Sequence, residues 1–471
     1  MENHKPLGPP LALAIVGHTN TGKTSLIRTL LRSSHFGQVA DAAGTTRHVE
    51  TATVMAEAAA VLQLFDTPGL EDSIALLQVL QALRADDGAA MPTGRDRLAQ
   101  FLRHSGEHVE FDQEIKVLRQ ALASDVLLYV VDVREPVLGK YRDEIAVLSM
   151  VARPIIPVLN FIRAEGANLD RWRGAMADFN LHALVEFDTV AFDFEAEKRL
   201  YQKLQSVVEC RYDAIQRLID YRQRRWLSLR QAAVQQVAEL IVDIASYRRP
   251  QPRDGDRRAA QADMQTQVRA AERRCLATVL AIFEFTDQDL EHHPLPVANG
   301  SWNRDLFEAA TLKEFGMDAG SAAAKGAVVG AGIDLLVAGL SLGTASAAGA
   351  LIGATWSGAR RFGGDLLAKF KGQRWYCVDD ATVTLVLLRQ LRLLATLSHR
   401  GHAAQEKIVV PLTVASALPD DWSQRLNTLR NHPQWSQLDQ PGDEGDRSRH
   451  RFVRQQADWI ATLIVRGTPA T

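Results

Sequence analysis

A chain of 471 residues, 46% hydrophobic and with a net charge of -2, is long enough for roughly two to four folded domains and too apolar to be disordered. Near-neutral charge argues against a protein that binds polyanions over its whole surface; the Arg-rich stretches Arg222–Arg230 and Arg248–Arg274 read either as local basic faces or as solvated helix faces. Cys210, Cys275 and Cys377 give neither a metal spacing nor a disulfide framework, which fits a reducing, cytoplasmic setting, and Pro6, Pro9 and Pro10 break up any cleavable leader.

The first element is an apolar strand, Leu11–Val16, followed by Gly17-His18-Thr19-Asn20-Thr21-Gly22-Lys23-Thr24 and a helical run, Ser25–Leu31. A glycine-rich turn between strand and helix points consecutive main-chain N–H groups at one spot, and the helix N-terminus adds positive potential there. The segment Gly17 to Ser25 therefore reads as a phosphate cradle: Gly17, Asn20, Thr21, Gly22 and Ser25 line it, Lys23 serves the β- and γ-phosphates, and the Thr24 hydroxyl serves Mg2+. Two strands follow, Arg47–Met55 and Ala58–Phe65, and the second ends in Asp66-Thr67-Pro68-Gly69. The Asp66 carboxylate is expected to hold Mg2+ through water and the Gly69 N–H to sense a γ-phosphate. Ahead of these strands, Gly44-Thr45-Thr46-Arg47 has the placement of a segment that closes on the metal, with Thr45 or Thr46 completing its shell. Lys23, Thr45, Thr46 and Gly69 form the expected catalytic set.

From Gly69 to Val126 the chain is longer than one helix and a loop require. Two helical patterns, Ser73–Arg84 and Asp96–His104, flank Gly88–Gly94, so about residues 71–120 read as an insertion, either a partner-binding lid or an elaborated surface loop. Strand Val126–Val131 is followed by Asp132, and strand Pro154–Leu159 runs into Asn160-Phe161-Ile162-Arg163. A last strand, Ala183–Val190, leads into Ala191-Phe192-Asp193.

Through Asn20, Gly44–Arg47, Asp66–Gly69 and Asp132, about the first 200 residues resemble the Era/TrmE-type branch of the translation-factor-related GTPases. The resemblance implies an α/β P-loop GTPase domain with a mostly parallel sheet and flanking helices, using GTP/GDP and Mg2+. It implies that Asn20 binds a K+ ion whose charge does the work of an arginine finger; plain turn chemistry is the alternative for Asn20. Leu70 takes the place where other GTPases carry a water-orienting glutamine, so slow intrinsic hydrolysis is expected. The branch normally reads Asn-Lys-x-Asp where this chain has Asn160 to Arg163. Asn160 keeps its expected reach to the base edge, but a guanidinium only donates, so Arg163 cannot accept the N1 and N2 hydrogens of guanine. Glu165 is the sequence candidate for the missing carboxylate, and a relaxed or ATP-tolerant site is the alternative to GTP.

The expected division is residues 1–195 for the GTPase domain, 196–315 for a helical stalk or bundle, 316–371 for a Gly/Ala-rich segment and 372–471 for a helical tail. Within the stalk, Val234, Val237, Leu240, Ile241 and Ile244 recur at helical spacing, and Arg249–Asp256 reads as a turn. Ala327–Trp356 carries a single charge, Asp334, and small residues four apart (Gly326/Gly330, Gly339/Gly343, Gly349/Gly353). With Gly339–Gly343 as a turn, the segment becomes a helical hairpin whose arms are too short to cross a bilayer; shallow membrane contact and a buried soluble hairpin are the two readings. His292 and His293 lack the companions a metal site needs. Val383–Leu397 and Phe452–Val465, with Trp459, read as packing helices. The layout resembles bacterial GTPases fused to a C-terminal domain of unknown function.

These readings converge on a GTPase switch whose helical half contacts a membrane lipid or membrane protein at the inner face of the cytoplasmic membrane. Two rivals stand beside it: a ribosome- or RNA-associated GTPase, and a nucleotide-binding scaffold with little turnover. No Gly-x-x-Gly clamp of the KH kind is recognised in the C-terminal half, so nucleic acid is not an expected partner; a homodimer is left open.

Overall fold

The computed structural model describes residues 8–32, 36, 49–83, 93–164, 166–189, 194–250, 257–283, 297–298, 301–302, 305–308, 311, 333–337, 340–341, 374–399, 418–439 and 447–466. Gly44–Arg47, Gly88–Met91, Glu165, His292–Pro294 and most of Ala327–Trp356 lie outside the described residues. The chain divides into two compact units, the first spanning Met1–Leu227 with Ser398–Glu406, the second Ser228–Leu397 with Lys407–Thr471.

The first unit is built on a six-stranded sheet. Its strands are β1 (Leu11–Val16), β2 (Glu50–Ala56), β3 (Ala59–Asp66), β4 (Val126–Asp132), β5 (Ile155–Asn160) and β6 (Val185–Glu186), in the order β2-β3-β1-β4-β5-β6. Only β2 runs antiparallel, joined to β3 by a tight hairpin in which Glu57 takes a positive φ. The other pairings are parallel, so both faces need cover. Strand β1 shows how alternation divides the core: Leu11, Leu13 and Ile15 face one apolar cluster with α1 (Lys23–Leu31), α7 (Phe194–Val207) and the start of α8 (Tyr212–Ser246). Ala14 and Val16 face the other, with α2 (Ser73–Ala82), α3 (Gly94–Arg103), α4 (Asp112–Ala123), α5 (Gly139–Ser149) and α6 (Leu169–Asp178). Every residue of β4 is buried, as a central parallel strand requires.

The insertion is part of this second core. Thr93 and Asp96 form a reciprocal capping box at the start of α3, whose Leu98 and Phe101 are buried beside Leu76 and Leu80 of α2 and Phe111 and Ile115 before and within α4. The last expected strand is shorter than its pattern: β6 covers only Val185–Glu186 of Ala183–Val190.

In the second unit the described helices are the remainder of α8, α9 (Arg257–Ile282), α10 (Asp380–His399), α11 (Trp422–Arg430) and α12 (Arg447–Arg466). Leu and Val side chains of α8 to α10 are buried, as are Leu426, Leu429 and Ile460, and the rings of Trp422 and Trp459 stack at 5.4 Å. Arg248–Pro250 is a strand, β7, so Arg249 and Pro250 of the expected turn Arg249–Asp256 are extended, while residues 251–256 lie outside the described residues. One expectation is corrected on its described residues: in the apolar segment β10 (Ile333–Val337) and β11 (Leu340–Ser341) are paired antiparallel strands where helix arms were expected, and a separate two-stranded pair, β8 (Val297–Ala298) and β9 (Ser301–Trp302), precedes them. Strand β10 pairs with β12 (Arg374–Val378), giving a four-stranded antiparallel sheet ordered β11-β10-β12-β7. Ile333 and Val337, at the two ends of β10, are β-branched residues that suit a pleated surface, and a Gly/Ala pattern that permits close helix packing does not by itself enforce a helix. Among the described residues, no helix is long and apolar enough to cross a membrane.

Candidate functional site

Strand order reverses at β1, whose carboxyl end opens into the Gly17–Thr24 loop. Gly22 adopts φ 91° as the residue before α1, and a side chain there would collide with Asn160 Nδ2, 2.3 Å from a Cβ built at that position. Gly69 is required for a different reason: a Cβ on it would sit 2.4 Å from Thr19 Cγ2 and 2.8 Å from Thr19 N, so the Asp66–Gly69 turn lies directly against the loop backbone. The Leu70 N–H donates to Gly17 O at 3.2 Å, tying the two segments together.

The charged groups expected at the phosphate and metal end are brought together. Lys23 is buried, and its Nζ donates to Gly17 O at 3.1 Å and His18 O at 2.6 Å. The Thr24 hydroxyl donates to Asp66 Oδ2 at 2.5 Å, while Asp66 Oδ1 is buried with no partner among the described residues. Burial pushes both ionisable groups toward neutrality: it lowers the Lys23 ammonium to about 8 against the attraction of Asp66, and raises Asp66 to about 6 despite Thr24 and Lys23. An anion on Lys23 and a cation on Asp66 would offset those desolvation costs. The buried, unpartnered oxygen of Asp66 beside the Thr24 hydroxyl thus fits a hard, oxygen-liganded Mg2+. Asn20 is exposed at φ 61°, a turn conformation that asparagine tolerates.

A second shell of contacts holds the loop and the Gly69 turn, and the sequence reading missed it. His18 Nδ1 is 2.8 Å from both Leu70 O and Glu144 Oε1 on α5, and its Nε2 lies 2.9 Å from Lys140 Nζ. With an ammonium donating to Nε2, the proton belongs on Nδ1, which then donates to Leu70 O and Glu144. Glu144 is fully buried and also accepts from Tyr129 at 2.7 Å. From α4, the buried Glu114 accepts the main-chain N–H groups of Glu71 and Asp72, both at 3.1 Å. Asp72 in turn caps α2 by accepting from the Ala75 N–H. Leu70 points into the core at 0% exposure. Both glutamates carry a signal visible in hindsight: Tyr141, Glu144, Ile145 and Leu148, and likewise Glu114, Ile115, Leu118 and Ala121, place an acid inside an apolar stripe.

On the β5 and β6 side of the loop, Asn160 is fully buried and acts as a tie. Its Nδ2 donates to Thr21 O, and its Oδ1 accepts the N–H groups of Phe161 and Thr189, each at 2.9 Å. Phe161 is left-handed at φ 60°, and its ring packs under the Arg134 guanidinium at 3.9 Å, with Arg134 itself clasped by Asp132 at 2.8 Å. Arg163 has an exposed side chain, and its main-chain N–H donates to Asp188 Oδ2 at 3.3 Å. Asp188, beyond the end of β6, is buried at 7% exposure and was not among the residues singled out from sequence.

Residues 12–161 match a protein-family model described as 50S ribosome-binding GTPase, and residues 173–458 match one described as a domain of unknown function, DUF3482. No curated protein matches the chain. Among solved structures it is similar to Era in complex with MgGDPNP and nucleotides of 16S ribosomal RNA (19% identity, TM-score 0.29, 42% of this chain and 56% of that one). It is also similar to a tyrosine-to-alanine variant of Aquifex aeolicus Era bound to GDP and aluminium fluoride (22%, 0.27, 42% and 56%). A third is a bacterial selenocysteine-specific elongation factor (14%, 0.27, 43% and 29%). The chain thus spans a little over half the length of the Era structures it matches. With its sheet, its phosphate loop and the family match to residues 12–161, the N-terminal unit is a P-loop GTPase domain, and the chain as a whole belongs to the DUF3482 family.

Proposed function

We propose that this protein is a slow, Mg2+-dependent GTPase that works as a nucleotide switch. The observation that carries the reading is the joint between loop and turn: Gly69 packs on Thr19, Leu70 bonds Gly17, and Lys23, Thr24 and Asp66 converge beside them. Lys23 exchanges the Gly17 and His18 carbonyls for β- and γ-phosphate oxygens, and the loop amides bind the remaining charge. Thr24 and Asp66 would hold Mg2+, which would supply charge neutralisation for the bound phosphates. Thr45 or Thr46 completes the metal shell, and Asn20 recruits K+, as the Era/TrmE-like motifs imply. With Leu70 buried, no side chain at that position orients water, so the intrinsic rate is low.

Transmission is supported by the far end of α1. Arg222 on α8 donates to Leu30 O at 2.8 Å, and the buried Glu197 gathers Arg32 at 3.1 Å, Arg222 at 3.5 Å and the Tyr201 hydroxyl at 2.8 Å. A helix that begins at the phosphate lysine therefore ends on a helix that continues to Ser246. The ribosome-associated rival gains from the description of the matched GTPase family, and the expectation that nucleic acid is not a partner is dropped.

The test is phosphate release from Mg·GTP by the full chain in K+ and in Na+. Repeated turnovers, faster in K+ and absent in Lys23→Ala, are expected. Binding without turnover in either salt would favour the scaffold reading, and co-sedimentation with ribosomal particles would favour the ribosomal one.

A further inference from the structure

The base-recognition end of the cleft lacks, in sequence, the one group guanine demands. Nucleotides lie across the carboxyl ends of parallel strands where strand order reverses. That point is β1, with β3 on one side and β4, β5 and β6 on the other. Asp66, bonded to Thr24, marks the β3 side as the metal and terminal-phosphate side. The nucleoside must then extend the other way, past Thr21 and Gly22 toward the ends of β5 and β6. Those ends form one wall, because Asn160 bonds both Thr21 O and the Thr189 N–H, and Gly22 is packed 3.3 Å from the Phe161 ring when a Cβ is built on it.

Into that wall β6 delivers a carboxylate. Asp188 Oδ2 accepts the Arg163 N–H at 3.3 Å, so an acid stands in space beside the position where the Asn-Lys-x-Asp pattern would carry one in sequence. We propose that Asp188 is the guanine-selecting carboxylate of this site, accepting the N1 and N2 hydrogens of the base; this rests on reading Gly17–Thr24 as a nucleotide cradle. Guanine presents those two donors side by side, and an ionised carboxylate, which only accepts, is their chemical complement. Adenine instead turns an acceptor, N1, toward the same oxygens, which repels. The Arg163 guanidinium is donor-only and cannot replace it.

The experiment is an equilibrium competition among Mg2+ complexes of GTP, ITP, XTP and ATP on the full wild-type chain and on Asp188→Asn. Wild type should prefer GTP to ITP, which lacks the 2-amino donor, by about 10-fold, and GTP to ATP by about 100-fold. Asp188→Asn should lose about 10- to 100-fold for GTP and gain affinity for XTP, whose 2-oxo group can accept from the new carboxamide. An unchanged order of the four in the variant, or a wild type that takes ATP as well as GTP, overturns the assignment. Should the variant fail to fold, the wild-type ranking decides alone: GTP above ITP sustains Asp188, and equality rejects it. Wild type binding all four alike sinks Asp188 but leaves the phosphate cradle standing, whereas binding none sinks both.

Discussion

The two ends of the proposed nucleotide site would solve recognition in opposite ways. At the phosphate end, one unbroken segment, Gly17–Thr24, offers main-chain amides and a lysine, and one further turn, Asp66–Gly69, closes on it. At the base end, Asn160 comes from β5, Asp188 from beyond β6 and Arg134 from the loop after β4, and they meet only in the folded domain. Main-chain recognition forces a fixed spacing of glycine, lysine and threonine, because the backbone must take particular turns. Side-chain recognition asks only that an atom of the right chemistry arrive, and any neighbouring strand can supply it.

The sharpest way to separate the ends is to damage one at a time. Lys23→Ala removes a charged donor that every base shares, so affinity for GTP and ATP alike should fall at least about 100-fold, with thermal stability little changed; equilibrium titration checks it. Asp66→Asn should act oppositely on binding and stability. The folded chain holds this acid at about 6 against an ordinary 3.8, so its ionisation is a destabilising cost that is absent below about pH 4, grows as pH rises and is complete above about 6. At pH 7 the variant should therefore melt higher, by up to about 3 kcal/mol, while losing Mg2+-dependent binding. Wild type should lose that binding as pH falls through about 6, and the two proteins should converge in stability near pH 4.

Asn160→Ala tests whether the ends are joined. It strands the part-buried Phe161 and the buried Thr189 N–H groups, which costs about 1 to 3 kcal/mol of stability by denaturant unfolding, and weakens all four nucleotides without altering their order. A change of order would mean that Asn160 reads the base directly. The smallest effect belongs to a pair away from both ends: Arg224 and Glu57, 3.1 Å apart and exposed, so Arg224→Ala should shift stability by less than about 0.5 kcal/mol and leave titrations unchanged.

The same contrast explains what was legible in the sequence. Strand β1, the loop and α1, strands β3 to β5 and the long helices of the C-terminal half follow from period and punctuation alone. Glu114, Glu144 and Asp188 did not emerge, because each is one acid in an apolar stripe or at a strand end, and its meaning depends on a partner more than 20 residues away in sequence. The Ile333–Val337 stretch misled for another reason. Its small flanking residues suit close helix packing, yet a pleated partner, Arg374–Val378, lay beyond the range of any local pattern, and pairing with it decided the conformation.

The central claim is that the main-chain amides of Gly17 to Ser25 grip a polyphosphate. Amide hydrogen exchange on the full chain, with and without Mg2+ and a non-hydrolysable GTP analogue, reads those groups directly. The account predicts protection centred on Gly17–Ser25, with a further change at Leu70–Asp72. Saturable binding of the analogue with no change in exchange across Gly17–Ser25 would contradict it.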